Sequence, residues 1–363
     1  MSQDTAGKKS AQARSVPFDI VRIIAAVLVV IGHFSFSSHS VGRTEMHSSL
    51  LSPVSMYFYV TVDIFFVVSG YFILMTAVGR DWLSFLVARL ARLYPPLVAC
   101  ATLTFVGCRI LAAYSHRNIS VLDWLANITG LILIPGIGQK FQVADVVYWT
   151  IQIEWVFYWL VCIGLAVRVV QLRLMIVFLV VSLLTTLAWR HAGFSIVLFA
   201  TQWLSRFAVG GLLFLLSRQP RSRLLWLLYA CSVALMMAGI WQRAVDRVHL
   251  EHAVFNPWIS CSIMLVATAI LSWFALHPTQ TERPLIEFAG GVTFPLYLIH
   301  HQFGCAIATA LGIADSVPGV LGMTALMLVL ASLIHGLAER PLVPRLRRVL
   351  NKLLLPQKAA GGA

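Results

Sequence analysis

Four ionisable residues interrupt long apolar stretches of the sequence: Arg22, His33, Asp63 and Glu154. Charge in such surroundings is costly and is usually kept for a function. Histidine titrates near neutral pH and can take a proton from an attacking hydroxyl, while a nearby carboxylate can hold its ring in the required tautomer. A histidine can also carry a transferred group covalently. These residue types predict general-base or nucleophilic chemistry at His33, with Glu154 or Asp63 as its acidic partner.

Arg22 and His33 are eleven residues apart in the sequence. On an α-helix this spacing brings both side chains to one face, about 16 Å apart along the axis. The shared face favours a functional interpretation of both residues. The structural alternatives are an interfacial Arg22 that extends to lipid headgroups and a neutral His33 bonded to a neighbouring helix. For Asp63 the alternative is a protonated, hydrogen-bonded carboxyl group.

Arg89 and Arg92 are three residues apart and predict two guanidinium groups on one helix face. Guanidinium groups bind phosphate through paired, charge-assisted hydrogen bonds, so the pair suits a phosphate-rich ligand. A pair of arginines that only marks the cytoplasmic side is the alternative.

Three further residues are weaker candidates: Ser69, His300 and Glu339. Ser69 precedes Gly70, a combination that is more typical of close helix packing. Glu339 could instead form an ion pair with Arg340 or Arg345 at the membrane interface.

The composition indicates which elements must position these residues. Of the 363 residues, 59% are hydrophobic and only 11% are charged, and the mean hydropathy is +0.85. This leaves too little polar surface for a water-soluble globule and also excludes disordered and collagen-like chains. The six cysteines lie singly in apolar stretches without metal-ligand spacing, so no metal site is predicted.

We therefore predict an all-α, polytopic transmembrane helical bundle, because a span needs about 20 mainly apolar residues. Ten segments qualify: 18–36, 53–78, 93–113, 146–167, 174–190, 195–216, 224–241, 255–276, 285–308 and 316–338. The broken segment 119–138 is predicted to be an interfacial or re-entrant part of an outer loop.

The distribution of Lys and Arg predicts the orientation of the bundle. Most of the 27 basic residues fall in segments that are cytoplasmic if both termini are inside. This gives a basic cytoplasmic tail over 1–16, a membrane domain over 17–341 and a second basic tail over 342–363. The positive-inside bias accounts for the net charge of +13. No run of basic residues is interleaved with aromatic residues, so nucleic-acid binding is not predicted.

Six ordered motifs resemble those of the acyltransferase-3 family of integral-membrane O-acyltransferases. They are Arg22-(ten residues)-His33, the segment from Asp63 to Gly70, Arg89-x-x-Arg92, Glu154 before Phe157-Tyr158, the segment from Leu296 to His300, and Glu339-Arg340-Pro341. Together the motifs span about 18 to 341. With no long polar segment after the last predicted span, the chain resembles the stand-alone members, such as xanthan-type exopolysaccharide acetylases.

The resemblance implies transfer of an acyl group, with acetyl as the expected one, from cytoplasmic acyl-CoA to a sugar hydroxyl of an exopolysaccharide or its lipid-linked repeat unit. Arg22, Arg89 and Arg92 would bind the CoA donor, and His33, with Glu154 and Asp63, would carry the chemistry. The implied setting is the bacterial inner membrane, with the lipid bilayer, a saccharide acceptor and polysaccharide-assembly proteins as partners.

Two other classes of function stay open at this stage. A transporter or flippase for a lipid-linked saccharide could use His33, Asp63 and Glu154 as a proton relay, but it has no separate use for the paired arginines. The second class is a structural subunit of a polysaccharide-export assembly. Such a role gives no reason for the paired arginines or for the buried ionisable residues.

Overall fold

The computed structural model describes residues 16–116, 118–134, 136–169, 171–188, 196–278 and 283–355. Within these ranges the chain forms helices and turns and no β-strand. The predicted tail 1–16 therefore lies almost entirely outside the described residues, as does the end of the second tail from 356.

Ten apolar helices, α1 to α10, correspond in order to the ten predicted spans. They are Val16–Gly32, Thr61–Ala77, Trp82–Ile110, Trp149–Ala166, Gln171–Ala188, Leu204–Arg218, Arg223–Glu251, Pro257–Leu276, Pro284–Ile299 and Val317–Ile334. A further helix, α11, runs from Arg340 to Leu354 in the segment predicted as a basic tail. Short helices at Val121–Ile128 and Ile196–Gln202 lie between the long ones.

Eight of the helical segments in the described ranges are long and apolar enough to cross a membrane. Two shorter apolar helices, Gln171–Leu187 and Pro284–Ile299, occupy the places of the fifth and ninth predicted spans. The all-α, polytopic fold class is thus confirmed.

Two helices extend well beyond their predicted ends, and both extensions carry arginines. The third span was predicted from residue 93, whereas α3 begins at Trp82, where the Asp81 side chain caps it by accepting from the Ser84 amide at 2.9 Å. The seventh was predicted to end at 241, whereas α7 continues to Glu251. Hydropathy alone ends a span at charged residues, but the arginines of these extensions line cavities of the protein, and the helices continue through them.

Two helices change their geometry at histidines. Helix α1 passes at His33 into a π-helical turn, His33–Ser37. Helix α9 ends at Ile299, and the chain resumes as a helix at Gln302–Ala310. Irregularities of this kind inside helices often mark functional sites. They place His33, His300 and His301 at breaks in otherwise regular helices.

Helices α2 and α6 cross in close contact through a glycine on each. A Cβ added at Gly210 would lie 1.9 Å from the carbonyl oxygen of Val67, and one at Gly70 would lie 2.2 Å from that of Phe207. Only residues without a side chain allow two backbones to approach this closely. The helix-packing interpretation of Ser69-Gly70 therefore holds for Gly70, while Ser69 faces the cavity described below.

Replacing either glycine by alanine should destabilise the protein, because the methyl group would meet backbone atoms that cannot move aside. Overpacking of this kind typically costs about 1–3 kcal/mol. We expect Gly210→Ala and Gly70→Ala to lower the thermal unfolding midpoint of the detergent-solubilised protein. Gly322→Ala is the matched control, since nothing lies within 4 Å of its added methyl on α10. Equal midpoints for all three variants would contradict this helix contact.

Candidate active site

A cavity of about 110 Å³, here called the inner cavity because the predicted orientation places it towards the cytoplasm, contains the residues predicted to bind the donor. Arg22, Arg89 and Arg92 line it together with Ser69 and Glu154. The rest of the wall is mainly apolar and aromatic: Val62, Phe65, Phe66, Val68, Phe72, Ile73, Leu93, Ile151, Phe294 and Tyr297 are among its lining residues. The cavity therefore combines three guanidinium groups with an apolar passage.

Arg89 is fixed by its surroundings, whereas Arg92 is exposed. The Arg89 side chain is 6% exposed, donates to the hydroxyl of Thr76, and lies over the rings of Phe85 at 5.2 Å and Tyr158 at 5.8 Å. Its Nε atom is buried without a hydrogen-bond partner. The pair thus offers one rigid guanidinium group and one that can adapt to a ligand.

Glu154 lies in the same cavity as the arginines. Its Oε1 accepts hydrogen bonds from the Tyr158 hydroxyl at 2.6 Å and from the Ser69 hydroxyl at 3.3 Å. Glu154 is the sixth residue of α4, and Thr150, one turn before it, lines this cavity as well. Glu154 is therefore brought together with Arg22, Arg89 and Arg92.

Arg22 is held by hydrogen bonds to the side chains of two neighbouring residues. It donates to the carboxylate of Asp19 at 3.3 Å and to the hydroxyl of Thr293 on α9 at 3.1 Å. These contacts fix the side chain at the cavity wall.

An outer cavity of about 70 Å³ contains His33. Arg243 and Arg247 from the extended end of α7 line it, with Tyr59 and Trp149. Val62 and Tyr297 line both cavities, so these two side chains form a thin wall, here called the septum, between the inner and the outer cavity. Arg22 on α1 and His33, directly after its end, thus lie on opposite sides of the septum.

Three histidine rings meet beside the outer cavity. The ring centroid of His33 lies 5.2 Å from that of His300 and 4.7 Å from that of His301. The Nδ1 atom of His33 and the Nε2 atom of His300 are buried without hydrogen-bond partners. Because carbonyl oxygens only accept, His300 donates through Nδ1 to the carbonyls of Leu296 and Tyr297 at 3.1 and 3.0 Å.

His301 is held in one tautomer by Arg43 and Asp145. A guanidinium group only donates, so the His301 Nε2 atom accepts from Arg43 at 3.2 Å and its Nδ1–H group donates to Asp145 at 3.1 Å. Asp145 also accepts a hydrogen bond at 2.7 Å from the backbone amide of Gln302, which begins the helix that follows α9. These bonds hold His301 beside His33.

Asp63 is fully buried and lies between two arginines of other helices. It accepts from Arg206 Nε on α6 at 2.9 Å and from Arg243 Nη2 on α7. Either Glu154 or Asp63 was expected as the acidic partner of His33, but the structure places neither against it. Each carboxylate is held by groups on its own side of the bundle.

Glu339, the remaining candidate, lies apart from both cavities. It accepts from the Nδ1–H group of His335 at 2.7 Å, within a π-helical turn between α10 and α11. This pair differs from the expected ones with Arg340 or Arg345. Among the described residues, no group of three or more His, Cys, Asp or Glu side chains is arranged to hold a metal ion.

Several residues of the site were not singled out from the sequence. Arg243, Arg247 and Glu251 recur at intervals of four directly after an apolar stretch, a pattern that extends a helix and aligns the three side chains. Asp145 is an acidic residue directly before an apolar run, and this position could have identified it as a candidate site residue. For Arg206, only its position within a predicted span was a signal.

Comparisons with known proteins identify the family. No match was found among curated proteins, and none among solved structures. A family model described as an acyltransferase domain, that of acyltransferase-3, matches residues 17–336, which include both cavities. Because this match covers most of the 363 residues, the chain belongs to the acyltransferase-3 family of membrane acyltransferases.

Proposed function

We propose that this membrane acyltransferase moves an acyl group, in the simplest case acetyl, from cytoplasmic acyl-CoA to a saccharide hydroxyl on the other side of the septum. The observation that carries the proposal is the pair of cavities with Val62 and Tyr297 between them. Arginines gather in one cavity and the candidate base lies in the other. Family membership favours this chemistry over the transport alternative.

The inner cavity suits the donor. Arg89 and Arg92 would bind the phosphates of CoA, for which guanidinium groups provide paired donors. Arg22 lines the same cavity and would add to this positive field. The apolar passage beyond them would take the uncharged pantetheine arm, with the thioester at the septum.

The outer cavity suits the acceptor. His33 would take the proton of a sugar hydroxyl while the hydroxyl oxygen attacks the thioester carbonyl carbon. The carbon–sulfur bond then breaks, and the CoA thiolate leaves on the inner side and is protonated. Transfer through an acyl-histidine is the alternative, in which His33 attacks first and the sugar hydroxyl displaces it.

Asp63 and Glu154 would support this reaction from different places. Asp63 positions Arg206 and Arg243 beside the outer cavity. Glu154, bonded to Ser69 and Tyr158, places a carboxyl group among the donor-site arginines, where it can position them or handle the proton of the leaving thiol. By analogy with the stand-alone exopolysaccharide acetylases, the acceptor would be an exopolysaccharide unit, assembled at a bacterial inner membrane.

Removing the imidazole of His33 should abolish acyl transfer. Loss of a general base typically slows a reaction by about 10²- to 10⁴-fold, and alanine is well tolerated in a helix. We expect His33→Ala to insert normally and to transfer label from radiolabelled acetyl-CoA at background rate. His249→Ala, at an exposed position of α7, is the control and should keep full activity. Transfer by His33→Ala within about tenfold of the wild type would exclude His33 as the base.

Removing the paired arginines should weaken donor binding more than it changes acceptor choice. Arg89→Ala and Arg92→Ala should each raise the KM for acetyl-CoA, and lysine should restore binding only in part because it cannot form the paired bonds. Arg221→Ala removes an exposed arginine between α6 and α7 and should leave this KM unchanged. Since Arg89 is buried, its variants also need an unchanged unfolding midpoint. An unaltered KM in the stable double variant would remove the donor role.

Transfer should also occur across a sealed membrane. In inside-out vesicles with acceptor polysaccharide confined to the lumen, radiolabelled acetyl-CoA added outside should label that polysaccharide. The reason is that the proposed donor site and the proposed acceptor site lie in different cavities, on opposite sides of the septum. Vesicles containing His33→Ala are the control and should stay unlabelled. Labelling only when donor and acceptor share a compartment would contradict transfer across the membrane and leave the acyltransferase activity intact.

A further inference from the structure

The outer cavity presents two arginines that the transfer step does not use. Arg243 and Arg247 are four residues apart on α7, so their side chains leave the same helix face. Both line the cavity that contains His33. Guanidinium groups beside a candidate base indicate that the acceptor carries a second group, which they would bind, in addition to the hydroxyl that reacts.

Most hydrogen-bond donors of these arginines have no partner in the described part of the protein. A guanidinium group has five N–H donors. Arg243 uses one of them for Asp63, and its Nε atom is buried without a partner. Arg247 uses one for Glu251. Each side chain can therefore keep its structural ion pair and still bind a second oxygen-rich group.

The charges of the surrounding cluster do not balance. Arg206, Arg243 and Arg247 contribute three guanidinium groups, whereas Asp63 and Glu251 contribute two carboxylates. Among the residues that the structure describes, no other carboxylate contacts these arginines. An unbalanced charge in a largely buried cluster is costly, so an incoming anion would stabilise the cluster.

Aromatic rings hold the two guanidinium groups in place. The Arg247 guanidinium lies 4.1 Å from the ring centroid of Tyr59, and that of Arg243 lies 4.4 Å from Trp203. Tyr59, Trp149 and Tyr297 also line the cavity and offer ring faces to a ligand. Arginines fixed in this way lose little further freedom when they bind, which favours affinity.

We propose that the outer cavity binds its acceptor through an oxyanion held by Arg243 and Arg247, so that the acceptor is a saccharide that carries a negatively charged group. This inference rests on the proposed function and adds the substrate class. The oxyanion can be the carboxylate of an acidic sugar or the phosphate of a lipid carrier. Both satisfy the same donors.

Binding without an acyl donor separates these possibilities. The detergent-solubilised full chain is titrated with cellobiose and with cellobiouronic acid, which differ by one carboxylate, and in parallel with farnesol and farnesyl diphosphate. Trp149 in the cavity wall makes intrinsic fluorescence a suitable readout. Arg243→Gln and Arg247→Gln test the site, and Arg221→Gln removes an exposed arginine elsewhere as the matched control.

The wild type and Arg221→Gln should bind one of the charged ligands at least about tenfold more tightly than its neutral partner, the usual scale of a charge-assisted contact. Arg243→Gln and Arg247→Gln should each lose most of this preference. Preference for cellobiouronic acid identifies a sugar carboxylate, and preference for farnesyl diphosphate identifies a carrier phosphate. Equal binding of charged and neutral ligands by the wild type, or a preference that survives in both variants, overturns the proposal. A negative result leaves acyl transfer by His33 untouched, because no donor takes part.

Discussion

The buried carboxylate of Asp63 is the interaction on which the arrangement of the site depends. It draws Arg206 from α6 and Arg243 from α7 towards α2 in a region from which water is largely excluded. Removing one member of such a cluster leaves an uncompensated charge, which is far more costly than the net gain from the intact pair. The glycine contact between α2 and α6 lies two turns further along the same helix, so packing and charge fix the same pair of helices.

The position of α2 in turn determines both cavities. Ser69, on the same helix as Asp63, donates to Glu154 and so connects α2 to α4 at the inner cavity. Val62, directly before Asp63, forms part of the septum. One helix therefore contributes to the outer cavity, to the septum and to the inner cavity. Its sequence from Val62 to Gly70 leaves little room for change without a loss of packing or of charge balance.

The fold was largely predictable from the sequence, because hydropathy determines which segments can enter a membrane. All ten predicted spans have a helix in the structure. The ends of α3 and α7 were not predictable in this way, since hydropathy treats an arginine that faces a cavity like one that faces water. Contacts between helices could not be predicted from the sequence either. Periodicity along one helix says which side a residue faces but not which helix faces it, so Asp63 could not be assigned to Arg206 and Arg243.

The thin septum of Val62 and Tyr297 also has an electrical consequence. Where two water-accessible cavities approach each other from opposite sides of a membrane, the transmembrane voltage falls mostly across the short barrier between them. Each elementary charge that crosses the full voltage gains or loses about 2.3 kcal/mol per 100 mV. In the proposed reaction, the hydroxyl proton starts beside His33 and the thiolate forms beyond the septum. Formation of the thiolate therefore moves negative charge inward while the positive charge stays on His33, so a membrane potential that is negative inside would oppose this step, and the rate of acylation would depend on the energetic state of the membrane.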